Sequence, residues 1–161
     1  MKYPDTKAYE FVVGRLADKG VTLNDIAHEA YLQQLRFNPN LAESDCQAAI
    51  VTVLHKREIL NNAMVALEMD RLATEGAVAE PLRSLLMTDN PNVGTDEMLA
   101  ISCSLLYGSV ATAQFGHLDL VKHGLAHKLD TDEHGECNTF IDDIVSALIS
   151  CVEAKVMHHN A

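Results

Sequence analysis

In the stretch NTFIDDIVSALISC, Asn138 to Cys151, Asp142 and Asp143 sit inside a run that otherwise reads as protein interior and offers no Lys or Arg. An ionised carboxylate is costly to bury unless something pairs with it, so the two acids either face water or meet a partner from elsewhere. A second acidic pair, Asp96 and Glu97, opens another largely apolar stretch. Carboxylates brought together repel one another and must protonate, recruit basic groups or bind a cation. Mg2+ suits such a group, because it takes oxygen ligands, keeps water and shares its shell with substrate phosphate. The competing reading is that all four acids are helix-start residues stabilised by the dipole and by solvent.

Between the two pairs, FGHLDLVKHG (Phe115 to Gly124) holds Gly116, Asp119, Lys122 and Gly124. Glycine permits close backbone approach to a ligand and lysine can neutralise a phosphate, though a plain helix connection has the same composition. His117, His123, His127, His134 and Cys137 fall within a short span. Only the His123/His127 spacing approaches a zinc-binding pair, and exposed loop histidines account for the group better. Lys56-Arg57, the adjacent basic pair, either receives an anionic group or pairs with Glu58 on a solvated helix face. Nucleophile-elbow, Walker, HExxH and dinucleotide fingerprints are absent.

The elements that must position these residues are all helical in pattern. Tyr9, Val12, Val13, Leu16 and Ala17 recur at helical spacing before Gly20. Thr22 and Asp25 have capping-box spacing and open a second helix that Asn38-Pro39-Asn40 ends. Ala42 to Glu75 predicts one long helix or two, with the break at His55 to Glu58; the β-branched run Ile50 to Leu54 lacks a hairpin partner. Pro81 opens a short helix through Met87, and TDNPNVG, Thr88 to Gly94, is a loop. Thr95 then caps a helix running to about Ala113, charge-free after Glu97 and therefore expected to be central. A segment from His117 to Leu129 follows, and the last helix spans Asn138 to His158. On a helical wheel its Asp142 face carries Ser146, Ala147, Ser150 and Ala154, small residues that let another backbone approach, so this helix is expected to be contacted on both sides.

Composition sets the wider limits. The 161 residues fit one domain, 1–161, with a core large enough to need no staples. A net charge of -11 argues against a nucleic-acid surface, which needs a basic face, and against anionic lipid. The N-terminal MKYPDTKAYE lacks the apolar core of a secretion signal, the scattered Cys46, Cys103, Cys137 and Cys151 read as free thiols, and Met98 to Leu118 lacks the apolar density of a membrane span. A cytoplasmic protein without a transmembrane segment is the expectation, and the apolar content of short helices predicts a homo-oligomer.

Taken together and in order, KREILNN, DRLATEG, VGTDEMLAIS, LLYGSVATAQFGHLDLVKHG and NTFIDDIVSAL resemble the soluble, YutG-like or low-temperature requirement C, branch of the phosphatidylglycerophosphatase A family. The resemblance covers most of the chain. It implies an all-α, single-domain bundle with a central helix surrounded by others, and Mg2+-dependent removal of phosphate from a phosphomonoester, phosphatidylglycerophosphate in the membrane-bound members. Carried over by position, it implies metal ligands at Asp96, Glu97, Asp142 and Asp143, catalytic roles for Asp142, Asp143, Asp119 and Lys122, and substrate contacts at Gly108, Ser109, Gly116, Lys122 and Gly124. Ser146 stands where the family motif usually has Gly, and His123 where a Pro precedes Gly124. The expected partner is a phosphorylated small molecule or a lipid headgroup. The rival functions are a non-catalytic helical protein that keeps an ion or ligand site, and a hydrolase of a soluble phosphoester.

Overall fold

Apolar residues at three- and four-residue intervals fold the chain into α-helices throughout, with no strand among the described residues of the computed structural model, 3–89, 94–122, 124–130 and 135–159. The helices are α1 (Asp5–Asp18), α2 (Leu23–Gln34), α3 (Glu43–Leu54), α4 (Arg57–Thr74), α5 (Leu82–Met87), α6 (Thr95–Ser104), α7 (Gly108–Val121), α8 (Gly124–Asp130) and α9 (Ile141–His159). The Thr22 hydroxyl accepts from the Asp25 amide at 3.1 Å while the Asp25 carboxylate accepts from the Thr22 amide at 2.8 Å, the reciprocal box its spacing predicts. The expected break at His55 separates α3 from α4, and Ile50 to Leu54 is helical.

α9 is the central element. Every residue from Thr139 to Ala154 is buried, and α2, α3, α4, α6, α7 and α8 all pack against it. Its small residues face other helices as the wheel predicts, Ser146 and Ser150 among them. Its start, however, lies at Ile141 rather than Asn138, because a residue of α4 caps it from outside. The buried Asp70 carboxylate accepts from the Phe140 amide at 3.1 Å and the Ile141 amide at 2.9 Å, satisfying donors that no intrahelical carbonyl can reach. The Cys137 thiol donates to the same carboxylate at 3.3 Å, and the Thr139 hydroxyl donates to the Leu86 carbonyl at 2.5 Å.

The expectation that the Thr95 helix is central is corrected by the structure. Met98 and Leu105 are each 60% exposed and Leu120 is 84% exposed, so the charge-free stretch lines the periphery. It is also not one helix. A single 3-10 turn at Leu105–Tyr107, followed by Gly108 at φ 82°, reverses the chain. The Cys103 carbonyl lies 3.6 Å from the Cys151 sulfur, well along α9, whereas Lys122 at the end of α7 reaches Asp142 at its beginning. α6 thus runs alongside α9 and α7 returns antiparallel to it. By length and composition alone Thr95–Val121 is apolar enough to cross a membrane, with mean hydropathy 1.4 over its best window. Folded back, its limbs of 10 and 14 residues are each shorter than the roughly 20 that a crossing requires.

One carboxyl is stranded in this core. Glu153 is 1% exposed and neither of its oxygens has a hydrogen-bond partner; the nearby Gln34 Oε1 is orphaned as well. Burial pushes the Glu153 carboxyl up to about 8, offset only in part by the amides of Gln34 and Gln114 and by Arg36. The folded state therefore holds a proton that the unfolded state releases near pH 4.5, and stability from this group falls as pH rises from there to about 8. Glu153→Gln is expected to raise stability at pH 9 by about 1–3 kcal/mol and to leave it nearly unchanged at pH 4, in denaturant titrations at the two pH values. Asp70→Ala is expected to lose about 2–4 kcal/mol and to expose the amides of Phe140 and Ile141 to hydrogen exchange; retained protection there would show that the cap is dispensable.

Candidate metal centre

Three helix ends meet at the beginning of α9. Asp142 and Asp143 follow its capped first residue, Asp96 and Glu97 lie in the first turn of α6, and α7 ends at Lys122. Of the four acids paired in the sequence, the structure groups three. Asp96, Glu97 and Asp143 each place a carboxylate oxygen so that all lie within 4.8 Å of one another, the one group of three or more possible ligands among the described residues. Asp142, one residue and about 100° away on the helix, turns instead to Lys122, whose Nζ lies 2.6 Å from its carboxylate.

These acids are not exposed capping residues. Asp96 is 6% exposed, Asp142 and Asp143 3% each, and the Asp96 Oδ1 and Glu97 Oε2 atoms are buried with no hydrogen-bond partner. Burial, then the neighbouring Glu97, raises the pKa of Asp96; burial, then Asp142 and Asp119, raises that of Asp143. Burial lifts Asp142 to about 6 even with Lys122 beside it. For Lys122 burial works against the charge, but Asp142 and Asp130 more than offset it and its pKa rises. Orphaned, desolvated, acceptor-only oxygens at two helix N-termini are the donor set of a hard divalent cation, so the residues fit Mg2+.

Two further acids, Asp130 and Asp89, join that the sequence did not single out, beside the expected Asp119. Asp130, at the end of α8, lies 3.1 Å from the Lys122 ammonium, and Asp119 lies 3.7 Å away. Asp89, which feels both Lys122 and Glu97, stands in left-handed backbone at φ 44°, as does Lys122 at φ 40°. Non-glycine residues rarely adopt that conformation and concentrate at functional sites when they do.

The expected substrate contacts are dispersed. Gly108 and Ser109 are exposed at the bend between α6 and α7, about 20 Å of helix from Lys122. Gly116 is exposed on α7, with nothing near a hypothetical Cβ. Gly124 adjoins the site, but what presses on it is the Glu29 carboxylate, 2.5 Å from where a Cβ would stand. His123 and His134 lie outside the described residues; His117 and His127 are exposed, and Cys137 is buried against Asp70. Arg57 pairs with Asp5 of α1, not Glu58, and Lys56 stacks its ammonium 4.0 Å over the Tyr107 ring.

Comparison with known proteins agrees with the architecture. Residues 22–158 match the family model for phosphatidylglycerophosphatase A. The chain belongs to this family. It is 35% identical to the uncharacterised protein YutG of Bacillus subtilis over 89% of this chain and 87% of that one. The crystal structure of Bacillus subtilis protein ypjQ superposes with a TM-score of 0.91 at 35% identity, covering 98% of each chain. The low temperature requirement C protein of Listeria monocytogenes gives 0.90 at 30% identity over 95% of this chain and 96% of that one. The all-α bundle about a central helix is therefore shared, and the three-carboxylate group lies within the matched region.

Without a cation the raised Asp143 carboxyl means that apo stability from this group falls as pH climbs from the unfolded value near 3.8 through the folded one. At neutral pH Asp143→Asn is expected to melt higher than wild type in chelator, by about 1–3 kcal/mol or roughly 2–12 °C, and to lose most of the stabilisation that Mg2+ gives wild type. A melting series with and without Mg2+ checks this; identical Mg2+ shifts in the two proteins contradict it.

Proposed function

We propose that the protein is a divalent-cation-dependent phosphatase acting on a phosphomonoester, with Mg2+ as the cation and phosphatidylglycerophosphate as the first substrate to test. The observation that carries the reading is the buried group of Asp96, Glu97 and Asp143, with unpartnered oxygens on Asp96 and Glu97, beside a lysine held at the same helix end. Family membership supports the reaction class.

A divalent cation held by that group supplies Lewis acidity toward a phosphoryl oxygen. The protein's own residues supply the rest. Asp143, Asp96 and Glu97 would hold the cation, which would relieve their mutual repulsion. Lys122 offers an ammonium donor to the phosphate, and Asp142 and Asp130 hold that ammonium at the helix end. Asp119, partly exposed and 3.7 Å from Lys122, is the residue assigned to accept a proton from water at the site's edge.

The test is inorganic phosphate release from phosphatidylglycerophosphate in mixed micelles and from soluble sugar and nucleoside monophosphates. Expected is Mg2+-dependent turnover of at least one of these, reduced about 100-fold or more in Asp143→Asn. Release unaffected by chelator, or equal in the variant, would rule the reading out. Turnover of the soluble esters alone would move the substrate away from lipid.

A further inference from the structure

The Lys122 ammonium sits in an unusual setting. Asp142 lies at 2.6 Å, Asp130 at 3.1 Å and Asp119 at 3.7 Å, carboxylates from α9, α8 and α7 respectively. A lysine paired for stability needs one carboxylate, and here three converge from separate elements and leave two negative charges in surplus. Carboxylate oxygens are the donors a hard divalent ion takes, and here they gather about an ammonium instead. Asp142, 3% exposed, is too buried for solvent to serve it. The neighbouring residue on the same helix, Asp143, belongs to the first group, so the two cation positions are adjacent. The backbone at Lys122 is left-handed, at φ 40°, where α7 ends.

We propose that the Lys122 ammonium occupies a second cation position, so that the protein holds one divalent ion beside a built-in monovalent one. Asp119, Asp130 and Asp142 then serve to hold a lysine in the place where a second metal would sit. This deepens the phosphatase reading and rests on it for the first ion. A tethered charge is present at every metal concentration and, with two N–H groups given to Asp142 and Asp130, keeps a third for a phosphate, whereas a second metal would have to be captured from solution. Removing the ammonium leaves the three carboxylates unopposed and opens the position to a divalent ion.

The experiment counts ions rather than turnover. Mn2+ is titrated calorimetrically into the full chain at neutral pH, and electron paramagnetic resonance spectra are recorded at saturation. Lys122→Gly suits the left-handed backbone and removes the charge; Lys122→Arg keeps a cation. Expected stoichiometry is one Mn2+ for wild type and Lys122→Arg and two for Lys122→Gly, whose spectrum broadens through coupling of neighbouring ions. Asp130→Asn added to Lys122→Gly is expected to return the count to one. If Lys122→Gly needs metal to fold, recovery of its helical circular dichroism at two equivalents supports the proposal and recovery at one overturns it. Two ions in wild type, or one in folded Lys122→Gly, also overturn it. No ion in wild type would instead remove the metal reading on which it rests.

Discussion

The buried Asp70 carboxylate accepts the amides of Phe140 and Ile141, and the placement of every functional residue on the central helix follows from that contact. A buried helix start without partners leaves several donors unsatisfied, each worth about 1–3 kcal/mol. Asp70 is fixed in the C-terminal part of α4, so it sets the phase of α9 as well as its position. Side chains advance about 100° per residue, and with Ile141 first, Asp142 turns to α7 and α8 while Asp143 turns to α6. A start shifted by one residue would put one acid in the other's place and turn the second away from both sets of neighbours. The fold keeps a carboxylate with a carboxyl pushed up to about 7 in its interior to prevent this.

What this start assembles is electrostatically opposed to itself. Among the described residues Asp96, Glu97, Asp119, Asp130, Asp142 and Asp143 share a single close ammonium, that of Lys122. The N-terminal ends of α6 and α9 offset part of the repulsion, each contributing about 0.3–1 kcal/mol for a nearby anion. Raised carboxyl pKa values record the remainder, which protonation or a cation must supply. The left-handed backbone at Asp89 and Lys122 adds strain of about 1–3 kcal/mol per residue. Uninterrupted packing along α9, the best buried helix, absorbs these terms.

Helix by helix, the fold was legible wherever a local signal decides: the Thr22 and Asp25 box, the break after Leu54, and the two-sided burial of α9 announced by Ser146 and Ser150 opposite its apolar arc. The Thr95 stretch misled for a physical reason. Absence of charge is shared by core helices and by exposed apolar faces, and nothing in the residues before Gly108 announces a reversal. Asp142 and Asp143 were legible because acids in an apolar run need a partner, but which of them met Lys122 was not, since that depends on where α9 begins. Asp70 carried a readable sign: it falls in helical register with Ala63, Ala66, Leu67 and Ala73, all buried. Asp89 and Asp130 carried none, because in sequence they are indistinguishable from solvated loop acids.

The two walls of the site differ in how firmly they are held. Asp142 and Asp143 belong to the most deeply buried helix, whereas Asp96, Glu97, Asp119 and Lys122 belong to a hairpin whose outer faces leave Met98, Leu105 and Leu120 in the open. Local opening follows buried contact, so the hairpin yields before α9 does. Both of its ends return to the same point only because α6 and α7 reverse at Gly108, and repulsion between Asp96, Glu97 and Asp143 loosens the attachment at that point. A cation drawn into the group would reverse the sign of that interaction. It would tie the outer hairpin to the core through the residues that bind it, so ordering of the site and binding of the ion are one event with one free energy.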